Sequence, residues 1–403
     1  MGWPVVFTLC LLAAGWGLAF FLRQALPRLW EAVLLALVGS GFWLFFLSLL
    51  GWQWRLLLVV LPLGFGFGVA CAKTDLWWRW VSQNGLITGL GMVVLAVCVH
   101  FPGWGWDFRY IWGLKAKVFA SFGGHNLSWL GQPEVARFAH PGYPPFWPDT
   151  LAFPVLLGLP VERSAGIWTA LLRLGLAGVC WQLAKGGSQT LAAAVGFLAP
   201  SLFRPDSSGY AEPLVAFLLG CSLLLLREKD PFLPSLGWSL LPLAKGEGLL
   251  WLLCLMGASF WGRCKFPKIA FLASLLPVLV WYFQISMVLA QPVPVSLSRF
   301  LQRLSLFPQA FFGLSQGAVW MSLGVLLAVI VAWRRTPLAL ATVAFAGGLV
   351  IVYLLGSHPL SWWLEHSWAR VLAVPLPLLL ATALGPASAT SQQIAGIEEE
   401  RRG

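Results

Sequence analysis

The stretch "LLLVVLPLGFGFGVACA", residues 56–72, contains no charged side chain, and a comparable run, "LVAFLLGCSLLLL", occupies 214–226. About twenty apolar residues are needed to cross the hydrocarbon core of a bilayer. Over all 403 residues, 59% are hydrophobic and 10% are charged, and the mean hydropathy is +0.80. These values exclude an ordinary soluble domain and predict an all-α, polytopic membrane protein.

The formal net charge is +11. In a soluble protein this excess would suggest nucleic acid as a partner. In an apolar chain it is better explained by the positive-inside rule, which places Lys and Arg in short cytoplasmic loops. The 25 Trp fit interfacial aromatic belts. The 7 Cys are scattered without a CxxC pair, so they predict neither disulfides nor a metal cluster.

Hydropathy predicts about thirteen spans, and the short basic loops place the N-terminus outside and the C-terminus in the cytoplasm. The predicted organisation has N-terminal transmembrane helices at 1–84, a core at 85–385 with a long external loop at 102–148, and a disordered cytoplasmic tail at 386–403. The predicted spans are 3–22, 29–50, 56–72, 85–101, 163–184, 188–203, 209–226, 231–244, 248–261, 268–289, 317–333, 337–356 and 369–385.

This topology gathers most of the unusual polar residues on the extracytoplasmic side. The richest stretch is "GWDFRYIWGLKAKVF", 105–119, whose spacing predicts an amphipathic helix lying on the membrane surface. Asp107 could simply cap this helix. Lys115 falls on the apolar face and could extend its ammonium group to the interface. Ionisable groups at membrane depth are costly, however, and by default mark a functional site.

Four further motifs belong to the same side. "HPGYPPFWPDTLAF" (140–153) predicts a stiff loop entering a short apolar segment, because its prolines disfavour a regular helix. Each motif also has a plain structural explanation. His140 and Tyr143 could be ordinary interface residues, and the acid of "GYAE" could be favoured by the helix dipole. The opposite charges of "KGEG" could neutralise each other, and Arg370 of "WWLEHSWAR" could anchor the chain to lipid headgroups. The residues of interest in them are His140, Tyr143, Glu212, Lys245, Glu247, His366 and Arg370.

Taken together, these residues supply carboxylates, cations, His and Tyr at one membrane surface. A carboxylate can act as a general base toward an acceptor hydroxyl. Lys and Arg can hold a phosphate and stabilise the charge that develops as it leaves. Such a set suits an enzyme that moves a sugar from a lipid-phosphate carrier.

The order "WDFRYIWGLKAK", "HPGYPP", "GYAE", "LAKGEG" and "WWLEHSWARVLAVPLP" resembles the C-type (GT-C) membrane glycosyltransferases, in particular a bacterial branch. Protein O-mannosyltransferases and aminoarabinose transferases would be more distant relatives. The resemblance implies a GT-C-like helical bundle whose external loop carries amphipathic juxtamembrane helices. The sequence departs from the family pattern at Gly142, Glu212 and Gly246.

The resemblance implies a role for each motif residue, with transfer from a polyprenyl-phosphate-linked sugar to a glycan, lipid or protein acceptor. Membrane lipids are the other expected partners. Asp107 and Glu212 would be catalytic, and Lys115, Lys117, Lys245 and Arg370 would bind the donor phosphate. The sugar or acceptor pocket would include Arg109, Tyr110, His140, Tyr143, Glu247 and His366.

Two other functions fit parts of the sequence. A ligase or polymerase of lipid-linked glycans would also use external Arg and His residues. A transporter or flippase would show internal repeats and charges near mid-membrane, whereas these charges are predicted at one face. No cofactor is expected to be required. Oxygen ligands could hold a divalent cation, but the chain has no dedicated cluster of carboxylates, which argues against an obligatory metal.

Overall fold

The computed structural model describes residues 2–100, 105–203, 209–225, 232–261, 268–288, 297–313, 316–333, 337–356 and 359–386. All regular secondary structure within these ranges is helical. The predicted tail from 387 onward and the predicted basic loops at 227–229, 263–265 and 334–335 lie outside them.

The first half of the chain forms α1 (Gly2–Arg23), α2 (Leu29–Leu37), α3 (Trp43–Leu49), α4 (Leu56–Ala72), α5 (Thr74–Gln83), α6 (Gly85–His100), α7 (Gly113–Phe122), α8 (Leu127–Leu130), α9 (Pro133–Ala139), α10 (Phe146–Leu156) and α11 (Val161–Leu183). The second half forms α12 (Gln189–Phe203), α13 (Glu212–Leu225), α14 (Phe232–Ala244), α15 (Gly246–Trp261), α16 (Lys268–Ser286), α17 (Leu297–Phe312), α18 (Gln316–Ala332), α19 (Pro337–Leu355), α20 (Leu360–Trp363), α21 (Ala369–Leu372) and α22 (Leu376–Ala383). Three π-helical stretches interrupt this series, at Val38–Phe42, Phe108–Trp112 and Leu364–Trp368.

Four helical segments in the described part are long and apolar enough to cross a membrane, which indicates a membrane protein. They are Trp3–Arg23, Leu29–Leu49, Val161–Leu183 and Pro337–Leu355, and the bent pair α4 and α5 would make a fifth. Seven of the remaining predicted spans correspond to apolar helices of only 10–17 residues. In place of the roughly thirteen predicted spans, the described residues contain four or five clear candidate crossings and seven shorter apolar helices.

One predicted span, 369–385, is not a continuous helix. α21 ends at Leu372 and α22 begins at Leu376, with Pro375 at the junction. Proline has no backbone N–H to continue the hydrogen-bond ladder, and Pro377 follows two residues later, so an unbroken helix is disfavoured. Arg370 therefore lies in the short helix α21, just before this break.

The core is organised around α11. This helix contacts α2, α6, α10, α12, α13 and α22, and 83% of its most apolar window is buried, the largest share among the four candidate spans. Because α1 and α2 both pack against it, the N-terminal helices form one body with the core. α10 in turn packs against α7, α11 and the first π-helical stretch, and this packing positions the segment that carries the functional candidates.

Candidate functional site

Four segments that are distant in sequence bring their charged residues into one cluster. Asp107 precedes the second π-helical stretch, Glu212 begins α13, Lys245 lies between α14 and α15, and Arg370 lies in α21. Arg370 Nη1 is 2.7 Å from Asp107 Oδ2, and Arg370 Nε is 2.9 Å from Glu212 Oε1. We call the set Asp107, Arg370, Glu212, Lys245 and Glu247 the charged cluster.

Glu212 is the hub of the charged cluster. Its Oε1 accepts a hydrogen bond from Lys245 Nζ at 3.0 Å, and Lys245 Nζ also lies 2.9 Å from Glu247 Oε1. The result is a chain of alternating charge whose middle is buried: the side chain of Glu212 is 2% exposed and that of Lys245 is 4% exposed. Asp107 and Glu247, at the two ends, are each 20% exposed.

The cluster holds three carboxylates and two cations, so its formal charge is 3 negative and 2 positive, or −1. Burial alone would lower the pKa of Lys245, but the attraction of Glu212 and Glu247 outweighs it and raises that pKa, so Lys245 stays protonated. Glu212 Oε2 is buried without a hydrogen-bond partner. An unpaired buried acceptor is costly, and this atom is where a further donor would be stabilised.

Two aromatic rings pack closely against glycines beside the ion pair of Asp107 and Arg370. The Arg370 guanidinium carbon lies 4.7 Å from the centroid of the Tyr210 ring, a cation–π distance. Gly105 packs so tightly on Tyr210 that a Cβ there would approach the ring to 2.3 Å. On the other side, Gly209 adopts φ +85° and meets the Phe108 ring, where a Cβ would approach to 2.2 Å. Only glycine fits either position without displacing an aromatic ring.

Two π-helical turns flank the central ion pair. One, Phe108–Trp112, begins directly after Asp107, and the other, Leu364–Trp368, ends two residues before Arg370. π-turns inside α-helices occur often at functional sites. The i, i+4 spacing of His366 and Arg370 predicts one helix face, but the two side chains differ in exposure. His366 is exposed and stacks on Trp362 at 5.0 Å, whereas the Arg370 side chain is 10% exposed.

The capping role considered for Asp107 is not observed, since its side chain makes no capping hydrogen bond. The helical face predicted for 105–119 is otherwise found. Phe108, Ile111 and Trp112 are buried, whereas Arg109 and Tyr110 are exposed. Asp107 is therefore directed toward Arg370 by the packing of the apolar face below it.

An aromatic stack adjoins the charged cluster. Tyr143 stacks on Trp112 at 5.3 Å and on His140 at 5.0 Å, and Lys245 Nζ lies 6.0 Å from the Tyr143 centroid. His140 adopts φ 45°, an uncommon backbone conformation for a residue other than glycine. Two predicted pocket residues, His140 and Tyr143, are thereby placed beside the cluster.

Lys115 contacts this aromatic stack from the protein interior. Its ammonium group donates a 2.8 Å hydrogen bond to the His140 carbonyl and lies 5.9 Å from the Trp112 centroid. The residue is 0% exposed, so it does not extend to the interface. Burial lowers its pKa to about 7, although the attraction of Asp149 opposes the shift. A phosphate could reach Lys115 only if the surrounding segment opened.

Other predicted residues lie outside the charged cluster. Lys117, whose side chain is 52% exposed, forms an ion pair with Glu162 at 2.9 Å. Tyr110 lies 5.2 Å from the Trp106 ring, beside Asp107 but directed toward the surface. The structure therefore assembles the two predicted acids, Lys245, Glu247 and Arg370, and leaves Lys117 and His366 at separate surface positions.

The pair His125 and Asp149 was not predicted from the sequence. His125 Nε2 lies 2.9 Å and 3.1 Å from the two Asp149 carboxylate oxygens, and the side chains are 5% and 0% exposed. Burial raises the pKa of Asp149, while His125 opposes that shift. The acid in "FWPDTLAF" was a visible signal, but nothing in the sequence indicated its partner. Tyr210, in the quoted motif "GYAE", was also missed.

No group of three or more His, Cys, Asp or Glu side chains within the described ranges is arranged to hold a metal ion. The carboxylates of the charged cluster are instead separated by Arg370 and Lys245. Together these features define a helical membrane protein with a buried network of alternating charge. Compared with known proteins, the chain matches no family model, no curated protein and no solved structure.

Proposed function

We propose that the chain is a GT-C type glycosyltransferase that transfers a monosaccharide, with inversion, from a polyprenyl-phosphate donor to an extracytoplasmic acceptor. The observation that carries the proposal is the ion pair of Arg370 with Asp107, joined through Glu212 to Lys245 in a mostly apolar helical protein. Such a site contains an acid that is partly exposed and cations that are mostly buried.

In the proposed reaction the acceptor oxygen attacks the anomeric carbon of the sugar from the face opposite the phosphate. Asp107 takes the proton of the acceptor hydroxyl as general base. The bond between the anomeric carbon and the phosphate oxygen breaks, and its electron pair leaves with the polyprenyl phosphate. Arg370 stabilises the negative charge that builds on that oxygen. Inversion follows from the single displacement.

The Asp107 and Arg370 pair supports an ordered sequence for this reaction. Arg370 Nη1 and Asp107 Oδ2 lie 2.7 Å apart, so the two side chains are held as an ion pair. A donor phosphate would compete with Asp107 for the guanidinium group, because Arg forms bidentate contacts with either anion. Donor binding would thereby release the Asp107 carboxylate for its role as base.

The structure suggests a supporting role for Glu212 in place of direct catalysis. Its carboxylate is 2% exposed and contacts both Arg370 and Lys245. A substrate hydroxyl has little access to such a group, but the group fixes the two cations that would face the donor phosphate. We assign Glu212 as a positioning residue for Arg370 and Lys245.

The proposed location is the bacterial plasma membrane, with the charged cluster facing the extracytoplasmic side. The basic loops would then face the cytoplasm. The full count of about thirteen crossings requires the apolar helices of 10–17 residues to cross or partly cross in contact with neighbouring helices. Short helices can be accommodated where the bilayer thins locally.

Donor binding provides the test. A ligand that binds only the folded state raises the free energy of unfolding, by about 2.7 kcal/mol at a hundred times its Kd. Purified protein in nanodiscs should be stabilised by a short polyprenyl phosphate, with or without its sugar. Arg370→Lys should weaken that stabilisation, while Asp107→Asn should retain or increase it because a competing carboxylate is removed.

A surface acid on the same segment, Glu134, supplies a matched control. It is exposed in α9, so Glu134→Gln should respond to the donor as the wild type does. If folded wild-type protein shows no stabilisation by any polyprenyl phosphate, the donor assignment fails. Sugar-independent binding without any transfer would instead favour a transporter of lipid-linked glycans.

A further inference from the structure

The elbow between α4 and α5 has a geometry unrelated to the charged cluster. α4 ends at Ala72 and α5 begins at Thr74, and the two axes meet at 92°. α4 is apolar along its length. If α4 runs along the bilayer normal, α5 lies in the membrane plane, which is the orientation of an interfacial helix.

The apolar face of α5 is fixed to the protein. Trp80 is 1% exposed, and its indole N–H donates to the Pro27 carbonyl at 2.6 Å. Trp77 stacks on Trp80 at 5.2 Å and meets the edge of Trp16 at 5.6 Å. α5 is therefore anchored beneath α1 and the turn between α1 and α2.

The rest of α5 is open. At about 100° per residue, Asp75, Arg79 and Gln83 share one face, and all three are exposed. Trp78 lies at the flank between this face and the apolar one and is 62% exposed. Lys73, in the elbow itself, is also exposed. An exposed Trp beside exposed cations is the arrangement found at headgroup depth.

The neighbouring turn adds positive charge. Arg23 and Arg28 flank Pro27, to which α5 is bonded, and both contact the buried carboxylate of Glu31. Their side chains remain 22% and 34% exposed. With Lys73 and Arg79 there are four cations, and with Glu31 and Asp75 two acids, so the corner carries a formal charge of +2.

An apolar stripe on α4 leads to this corner. Leu57, Leu61 and Phe65 recur every four residues, and they are 82%, 56% and 49% exposed. At 1.5 Å per residue, Phe65 lies roughly 12 Å along the helix from Lys73. This separation is within one leaflet, about half of the roughly 30 Å hydrocarbon core, whereas Leu57, about 24 Å from Lys73, extends into the opposite leaflet. The apolar stripe, the exposed Trp78 and the cations therefore follow one another in the same order as the acyl chains, the interface and the headgroup of a phospholipid.

We propose that the corner formed by Lys73, α5 and the turn between α1 and α2 binds anionic phospholipid headgroups, with the acyl chains along the end of α4 that carries Phe65. The charge of the corner complements an anionic lipid. The continuity with the α4 stripe favours a lipid over a soluble anion or a protein. Each basic residue near an anionic surface contributes about 1 kcal/mol, which is about five-fold in affinity.

The test titrates phosphatidylglycerol into protein held in a neutral detergent and follows thermal stability. The wild type should be stabilised by phosphatidylglycerol more than by phosphatidylcholine, and added salt should reduce the difference. The double variant Lys73→Gln, Arg79→Gln should need about twenty-five-fold more phosphatidylglycerol for half of the effect, which is two steps of about five-fold. Both residues are exposed, so the variant should fold with an unchanged melting temperature before lipid is added.

The control removes the same charge elsewhere: Arg55→Gln, Arg163→Gln, two exposed positions away from the elbow, should titrate as the wild type does. Soluble glycerol phosphate should give no stabilisation at the concentrations where the lipid is saturating. Equal responses to the two lipids would overturn the proposal. So would an unchanged titration in the Lys73 and Arg79 variant, or equal stabilisation by glycerol phosphate.

Discussion

Arg370 and Asp107 lie 2.7 Å apart although they come from opposite halves of the chain. The same guanidinium group reaches Glu212 through a different nitrogen. One planar side chain therefore joins a partly exposed acid of the charged cluster to its most buried one, and this relationship determines how each residue should respond to substitution.

Asp107→Asn keeps the size of the side chain but removes the base. General acid–base groups contribute about 10²–10⁴-fold to rate, so transfer from a polyprenyl-phosphate sugar should fall by at least about 100-fold. The melting temperature should fall less than in Glu212→Gln, because the Asp107 side chain is 20% exposed and that of Glu212 only 2%. Radiolabelled sugar transfer measures the rate, with Glu134→Gln as the acid-loss control. A folded Asp107→Asn protein with wild-type transfer would disprove the base assignment.

Glu212→Gln should act on stability. It leaves Arg370 and Lys245 without their shared carboxylate, and breaking a buried ion pair by removing one partner costs about 3–5 kcal/mol. Glu162→Gln removes the partner of Lys117, an exposed pair, and should cost less than about 1 kcal/mol. Denaturant unfolding compares the two variants. Equal small losses would show that Glu212 does not hold the cluster together.

Arg370→Lys retains the charge but loses the planar fork. Lys presents a point charge, so it cannot reproduce the contacts that Nη1 and Nε make with two carboxylates. Loss of one charged hydrogen bond, about 1.5–3 kcal/mol, should lower transfer by about ten-fold to a hundred-fold. Arg163→Lys, at an exposed position, is the matched control. Wild-type kinetics in Arg370→Lys would mean that only the charge matters.

Lys115 should impose a pH dependence on stability. Burial lowers its pKa from the ordinary 10.5 to about 7, so between these values the unfolded chain binds more protons than the native protein. The free energy of unfolding contributed by Lys115 therefore rises with pH through this window. Lys115→Met should gain most over the wild type near pH 7 and less near pH 10.5. Lys117→Met, at an exposed site, should follow the wild-type profile, and parallel curves for Lys115→Met would contradict the prediction.

Gly105→Ala should disturb the site with a single methyl group. Its Cβ would lie 2.3 Å from the Tyr210 ring, on which the Arg370 guanidinium rests. Overpacking of this kind costs about 1–3 kcal/mol, and the displaced Tyr210 should lower transfer more than it lowers the melting temperature. Gly89→Ala meets open space in α6 and should leave both unchanged. Full activity in Gly105→Ala would show that the ring can move without consequence.

The sequence indicated the helical class and the convergence of its scarce charges because both follow from composition. Asp107, Glu212, Lys245 and Arg370 stand out in apolar surroundings, and burial of such groups requires partners. The burial of Lys115 could not be predicted, since periodicity places it on an apolar face without deciding whether its ammonium group turns inward. The pairing of His125 with Asp149 depends on the path of the chain between them, which no local pattern contains.

The lengths of the membrane-crossing helices also could not be predicted from the sequence. Hydropathy marks 369–385 as one apolar segment, whereas Pro375 divides it into α21 and α22. Similarly, hydropathy marks 56–72 as a span but contains no information on the 92° bend that follows. Composition reports which residues avoid water, while backbone hydrogen bonding decides where each helix ends.

The two π-turns beside Asp107 and Arg370 have a consequence for the ancestry of the site. A π-turn accommodates one extra residue within an α-helix, and one residue corresponds to a rotation of about 100°. The π-turn absorbs this rotation locally, so deleting a single codon within Leu364–Trp368 should restore α-helical hydrogen bonding there while leaving the flanking helices, and Arg370 in α21, in place. The segments beside Asp107 and Arg370 can therefore gain or lose one residue without separating the two side chains.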